Sequence, residues 1–172
     1  MEWIVPIIDL DSIDLQILKL LQSEGKLTNT ELAERVGLSA TPCLRRVKRL
    51  EQESVIVGYR AELDRSKIGL GLTVLVDVKM DGSRNENSTR IQEVLRTMPE
   101  VLSCHLVSGE YDLMLEVSVP DLAAYERFLM GNLLQLHMFK DIRSHVVIRT
   151  VTDRTPLPLD HLTKSNGPSR QG

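Results

Sequence analysis

Only two cysteines, Cys43 and Cys104, occur in 172 residues. A secreted disulfide scaffold carries more, and neither residue stands in a Cys-x-x-Cys or Cys/His ligand spacing. Cys43 falls on the apolar side of a helical pattern, and Cys104 alternates with apolar neighbours in a strand pattern. Both are expected as small buried hydrophobes, and neither a metal site nor a cofactor is implied. The four histidines include no close pair. Without a nucleophile–base spacing the chain lacks the outline of an enzyme. No apolar run approaches the roughly 18 residues of a membrane span. No basic segment followed by an apolar stretch opens the chain, so no secretion signal is expected and the chain reads as cytoplasmic. The net charge of −3 argues against a general nucleic-acid coat but not against a local basic patch. Acids and bases balance over residues 9–60, so any contact with nucleic acid there depends on placement.

That placement is informative. No acid interrupts the stretch from Ser39 to Leu50, which carries Arg45, Arg46, Lys48 and Arg49. At about 100° per residue the four cations and Thr41 share one side of a helix, while Cys43, Leu44, Val47 and Leu50 share the other. A solvated helix usually mixes signs, so a cation-only face suits a phosphate-lined groove better than open solvent. Upstream, Thr28-x-x-Glu31 forms a capping box with Leu27 and Leu32 in the staple positions. That helix runs to about Val36, and Gly37 supplies a left-handed stop. Ser39 or Thr41 caps the next helix, and Pro42 is tolerated in a first turn whose amides lack helical partners. Asp11 caps an earlier helix with Ile13, Ile17, Leu18 and Leu21 inward. Three short helices with a tight turn between the last two make a helix-turn-helix, whose third helix reads the major groove of double-stranded DNA. The base-contact and phosphate-contact candidates are Ser39, Thr41, Pro42, Arg45, Arg46, Lys48 and Arg49.

The period changes after Gly58. Strands are expected over 72–80, 101–107, 113–119 and 142–151. Helices are expected over 86–98, ended by Pro99, and from Pro120-Asp121 with Leu122, Tyr125, Phe128 and Leu129 inward. The order βαββαβ is ferredoxin-like. Two helices on one face leave the other face of an antiparallel sheet open, so a homodimer or larger assembly is expected. The fold class is therefore α+β. A helix-turn-helix over 9–60 and a linker over 61–71 precede a second domain over 72–152. A flexible tail over 153–172 is expected from its proline, glycine and polar content.

Three stretches carry a family resemblance: LDSIDLQIL, TNTELAERVGLSATPCLRRVKRLE and CHLVSGEYDLMLEVSVPDLAAY. They resemble the Lrp/AsnC ("feast/famine") transcriptional regulators, and TPCL and CHLVSGEYD resemble the leucine-responsive branch. The resemblance covers about residues 9–152. It implies a winged helix-turn-helix joined to an ACT-like ligand-sensing domain, dimers that assemble into octamers or similar multiples, and control of amino-acid metabolism genes. It also implies an amino-acid effector bound between dimers around Gly109, Glu110, Tyr111 and Asp112, with Leu122, Leu134, His145, Val146 and Val147 tied to the response. A glycine turn with exposed amides suits a carboxylate, an aspartate suits an α-ammonium, and the apolar residues suit a neutral side chain. Two departures stand out. Leu136-His137-Met138-Phe139-Lys140-Asp141-Ile142 replaces the Leu-Pro-Gly-Val common in the family, and His145 replaces an aromatic. Sirohaem decarboxylases resemble the family in fold, but a cation-only helix would serve no purpose in one. An assembly protein that has lost DNA binding is the other rival.

Overall fold

The computed structural model describes residues 8–81, 91, 93–153 and 155–162. These form two compact units, residues 8–61 with 152–162, and residues 62–151.

The first unit holds α1 (Ser12–Ser23), α2 (Asn29–Arg35) and α3 (Ala40–Gln52). Asp11 caps α1 by accepting the amides of Ile13 at 3.0 Å and Asp14 at 2.9 Å, and Asp14 returns the favour to the Asp11 amide at 3.2 Å. Thr28 and Glu31 form the expected box on α2. Gly37 takes φ +70°, the left-handed value that glycine adopts without steric cost. The Asn29 side chain then donates to the Ala40 carbonyl at 2.9 Å, holding the start of α3 against the start of α2. The core is Ile17, Leu18, Leu32, Ala33, Val36, Cys43 and Leu50. Ser39 has the N-cap backbone of α3, yet its hydroxyl makes no capping bond.

Residues 155–162 were expected as part of a loose tail, but they fold back onto this unit. Leu159 packs against its core, the Leu157 amide donates to Gln22 at 2.6 Å, and Lys19 pairs with Asp160 at 3.0 Å. Lys19 and Gln22 are three residues apart and share one face of α1, which receives the segment. The remainder of the tail lies outside the described residues.

The second unit is an antiparallel sheet of β1 (Leu72–Met80), β2 (Val101–Leu106), β3 (Leu113–Val119) and β4 (Phe139–Val146), in the order β2-β3-β1-β4. Residues 91 and 93–96 are the described part of a helix, α4; positions 86–90 and 92 of the expected helix lie outside the described residues. Helix α5 spans Leu122–Phe128, capped by Asp121, and continues as a π-turn over Leu129–Leu133 and a 3-10 turn over Leu134–Leu136. The helices cover one face, where Val74, Val76, Val78, Leu113, Leu115, Val117, Ile91, Leu95, Tyr125, Phe128 and Leu133 form the core.

Four expectations are corrected here. The last strand is Phe139–Val146 and not 142–151, because its partner sets its span: Met80 pairs with Phe139 and Val74 with Val146. The Val147 amide reaches Thr73 at 2.9 Å, and beyond it Ile148 and Val151 are exposed. Cys104 is exposed, because β2 is an edge strand with a neighbour on one side only. Leu122 faces outward, 65 % exposed, while Tyr125 and Phe128, one and two turns further on, fill the core. Residues 62–71, expected as linker, belong to the second unit. Arg65 pairs with Glu116 at 2.8 Å and donates to Thr73 at 3.3 Å.

Candidate functional site

Helix α3 presents an open groove lined by Thr41, Leu44, Arg45, Arg46, Lys48, Arg49 and Gln52, with Asp11 at its edge. The Asn29 side chain holds the start of the helix at Ala40, and burial of Cys43 and Leu50 fixes its rotation. The cations therefore emerge on one side, as their spacing predicts.

They are not equivalent. Arg46 donates to Asp11 at 2.6 Å and to Asp14 at 2.9 Å. Arg49 donates to the other oxygen of Asp14, and its Nε lies 3.9 Å from Glu53. Asp14 is 1 % exposed, so this carboxylate is buried and held by two guanidinium groups and the Asp11 amide. Such an acid is costly to bury alone and acceptable once fully hydrogen-bonded. Its hydrogen bond to Arg46, with that of Asp11, holds the guanidinium in its charged form above the ordinary range. Slight burial opposes ionisation of Asp11, but the amides of Asp14 and Ile13 and the Arg46 guanidinium together keep its carboxyl below the usual range. Arg45 and Lys48 are exposed, and among the described residues neither makes an ion pair. The structure thus divides the four cations that the sequence places on one face. Two are free, and two fasten α3 to the first turn of α1. Asp14 was the residue missed. The signal was present: Asp11 and Asp14 are spaced i, i+3, and so are Arg46 and Arg49.

The residues expected around an effector fall at different places in the second unit. Gly109 (φ +136°) opens the β2–β3 turn. The turn is closed by Val107 donating to Asp112 at 2.9 Å. Tyr111 is buried, donates to Asp141 at 3.0 Å and lies under Arg143, whose guanidinium carbon is 4.9 Å from the ring centroid. Burial and the bond to Asp141 push its hydroxyl pKa up. Lys79 donates to the Glu110 carbonyl. Asp112 is occupied: its Oδ2 accepts the Met80 amide at 2.9 Å, and its own amide donates to Val78 at 2.9 Å. It closes the end of the sheet.

His145, Val146 and Val147 lie toward the opposite end, where Leu75 faces His145 and Val74 faces Val146. His145 Nε2 lies 3.0 Å from Asp77 Oδ2 on the open face of the sheet. Leu122 and Leu134 are exposed at separate turns of the α5 segment. Within one chain these residues are spread over the two ends of the sheet and the α5 segment. His137, in the departing segment, takes the left-handed conformation (φ 47°) just before β4. Among the described residues no group of three or more His, Cys, Asp or Glu side chains forms a metal cluster. No described helix is long and apolar enough to cross a membrane.

Comparison with known proteins gives this geometry its context. Residues 10–57 match a winged helix-turn-helix DNA-binding domain, and residues 73–157 match the Lrp/AsnC ligand binding domain. The leucine-responsive regulatory protein of Escherichia coli K12 is 41% identical over 143 residues, covering 83% of this chain and 87% of that protein. The chain belongs to the Lrp/AsnC family. The leucine-responsive regulatory protein of Haemophilus influenzae is also 41% identical, over 83% of this chain and 86% of its own length. A Neisseria meningitidis transcriptional regulator solved with L-methionine superposes with a TM-score of 0.86 at 38% identity, covering 90% of this chain and 99% of that one. An AsnC family transcriptional regulator from Agrobacterium tumefaciens gives 0.83 at 36% identity, covering 88% and 99%. Like these Lrp/AsnC relatives, this chain is a DNA-binding transcriptional regulator with a ligand-binding domain, and the relatives are regulators and not enzymes.

Proposed function

We propose that the chain is a sequence-specific regulator of amino-acid metabolism genes whose DNA binding responds to an amino acid held between dimers. The observation that carries the DNA half is the exposed side of α3, where Thr41, Arg45 and Lys48 project from a helix pinned by buried ion pairs. In a dimer, two such helices enter successive major grooves about one helical turn apart. Arg45 suits the acceptor edge of guanine or a phosphate, Lys48 suits phosphate, and Ser39, Thr41 and Pro42 lie at the entering end.

A second copy covers the open face of the sheet. Leu75 and Met114, 37% and 38% exposed, sit there between the Arg65–Glu116 and His145–Asp77 pairs. Dimers then assemble into an octamer or a similar multiple. That assembly is what brings the separated effector residues together, with Gly109 to Asp112 from one region meeting Leu122, Leu134 and Val146 from another. The exposure of those three apolar residues supports contact with something outside the chain. The relative solved with L-methionine and the relatives named leucine-responsive favour a neutral amino acid. Such a ligand changes DNA affinity only by favouring one assembly state over another. The regulator acts in the cytoplasm, where the amino-acid pool and the genes coexist.

The test is DNA binding by the full chain, measured by fluorescence anisotropy with and without each of the twenty amino acids, with sedimentation velocity on the same samples. A neutral amino acid that shifts both affinity and assembly supports the reading. A shift in affinity with no amino acid, despite firm DNA binding, overturns the effector half.

A further inference from the structure

The role of Asp14 goes beyond holding two helices together. The α3 face carries four cations in sequence, but carboxylates of Asp11, Asp14 and Glu53 lie against Arg46 and Arg49. Three acids thus offset two of the four cations. Attraction to DNA regardless of sequence scales with the number of phosphates neutralised, each adding about 0.9 to the slope of log affinity against log salt. Contacts to base edges, by contrast, need the helix in one fixed orientation. A buried acid that withdraws two arginines from the phosphates and uses them to orient the helix acts on both quantities.

We propose that Asp14 is a specificity-determining positioning residue. It holds Arg46 and Arg49 off the phosphate backbone, limits binding to random DNA, and fixes α3 so that Arg45 and Lys48 read the preferred site. Asp14 touches no DNA itself. The inference rests on α3 being the DNA-facing helix.

The experiment compares the full chain with Asp14→Asn, Arg49→Met and Lys48→Ala. Random-sequence duplex and a duplex selected from random pools by the unaltered protein are titrated at several salt concentrations, with circular dichroism confirming each fold. Asparagine keeps the shape and removes the charge that holds both guanidinium groups. Asp14→Asn is expected to steepen the slope on random DNA by up to about 2 and to reduce the ratio of selected to random affinity at least tenfold. A folded Asp14→Asn variant with an unchanged slope and unchanged ratio overturns the proposal. Should that variant not fold, Arg49→Met decides. An unaltered slope on random DNA supports the proposal, and a fall of about 1 contradicts it. Lys48→Ala separates the two levels. If it leaves the slope unchanged, α3 is not the DNA-facing helix. If Lys48→Ala and Arg49→Met both lower it, α3 stands and the role of Asp14 falls.

Discussion

Asp14 at the start of α1 and Arg46 in the middle of α3 meet at 2.9 Å, with the carboxylate only 1 % exposed. They stand 32 positions apart in the chain, and their contact decides how α3 is held against α1. The sequence places four cations within five residues, 45–49. A reader of the fold sees two that point out and two that are spoken for.

Arg46→Ala is therefore expected to act on stability first. It leaves Asp14 with one cation in place of two and takes a partner from Asp11. Loss of a charged partner to a buried group costs on the order of 1–3 kcal/mol. Urea unfolding followed by circular dichroism checks this, and a midpoint equal to that of the unaltered chain would remove Arg46 from its fastening role.

The capping carboxylates carry a pH dependence. The folded carboxyl of Asp11 is held below the ordinary range, by the amides and guanidinium that outweigh its slight burial. The carboxyl of Glu31 is likewise lowered by the Thr28 amide. A lowered folded value means the contribution is complete above the unfolded value of about 4 and fades as pH falls through the folded one. Thermal unfolding between pH 7 and pH 3 should show the first unit losing stability below about pH 4. Asp11→Asn should flatten that loss, and an identical pH profile would show that the Asp11 carboxylate contributes nothing to it.

Asp112 separates structure from recognition. Its carboxylate accepts the Met80 amide, so Asp112→Ala removes a sheet-end acceptor and is expected to lower the thermal midpoint by a few degrees, equivalent to about 1 kcal/mol. Asp112→Asn keeps an acceptor and loses the charge. Calorimetry with the responsive amino acid should show weakened binding in Asp112→Asn at a near-native midpoint. Full-strength binding by that variant would take Asp112 out of the effector site.

Residues 157–162 join the end of the described chain to α1 through Gln22, Lys19 and the seat of Leu159. Deleting the chain from Leu157 onward is expected to destabilise the first unit by about 1–2 kcal/mol, the scale of one partly buried leucine. Hydrogen exchange should quicken in α1 around Lys19 and Gln22. Unaltered exchange there would mean that the segment adds nothing to the fold.

What was legible in the sequence was local. The cap at Asp11, the box at Thr28 and the stop at Gly37 are read from a few neighbouring residues, and the structure forms all three. The strands β1 and β3 follow from apolar runs whose inward residues alternate into the core. What was not legible depended on partners distant in sequence. The extent of β4 is set by where β1 ends and not by its own apolar residues, so Ile148 and Val151 misled. Cys104 alternates like a core residue but lies on an edge strand. Leu122 has the right spacing for burial, yet it opens a helix whose inward face begins at Tyr125. Arg46 and Arg49 share the face of Arg45 and Lys48, and only the acids of α1 distinguish them.

The central claim is that α3 binds DNA through Arg45 and Lys48. The most direct measurement is the salt dependence of DNA affinity for the full chain and for the Arg45→Ala/Lys48→Ala double variant, with thermal midpoints measured alongside. The expected result is a slope smaller by about 2 and an unchanged midpoint, because neither side chain makes an ion pair within the described chain. A double variant with the original slope and affinity would contradict the claim and move the DNA-binding surface away from α3.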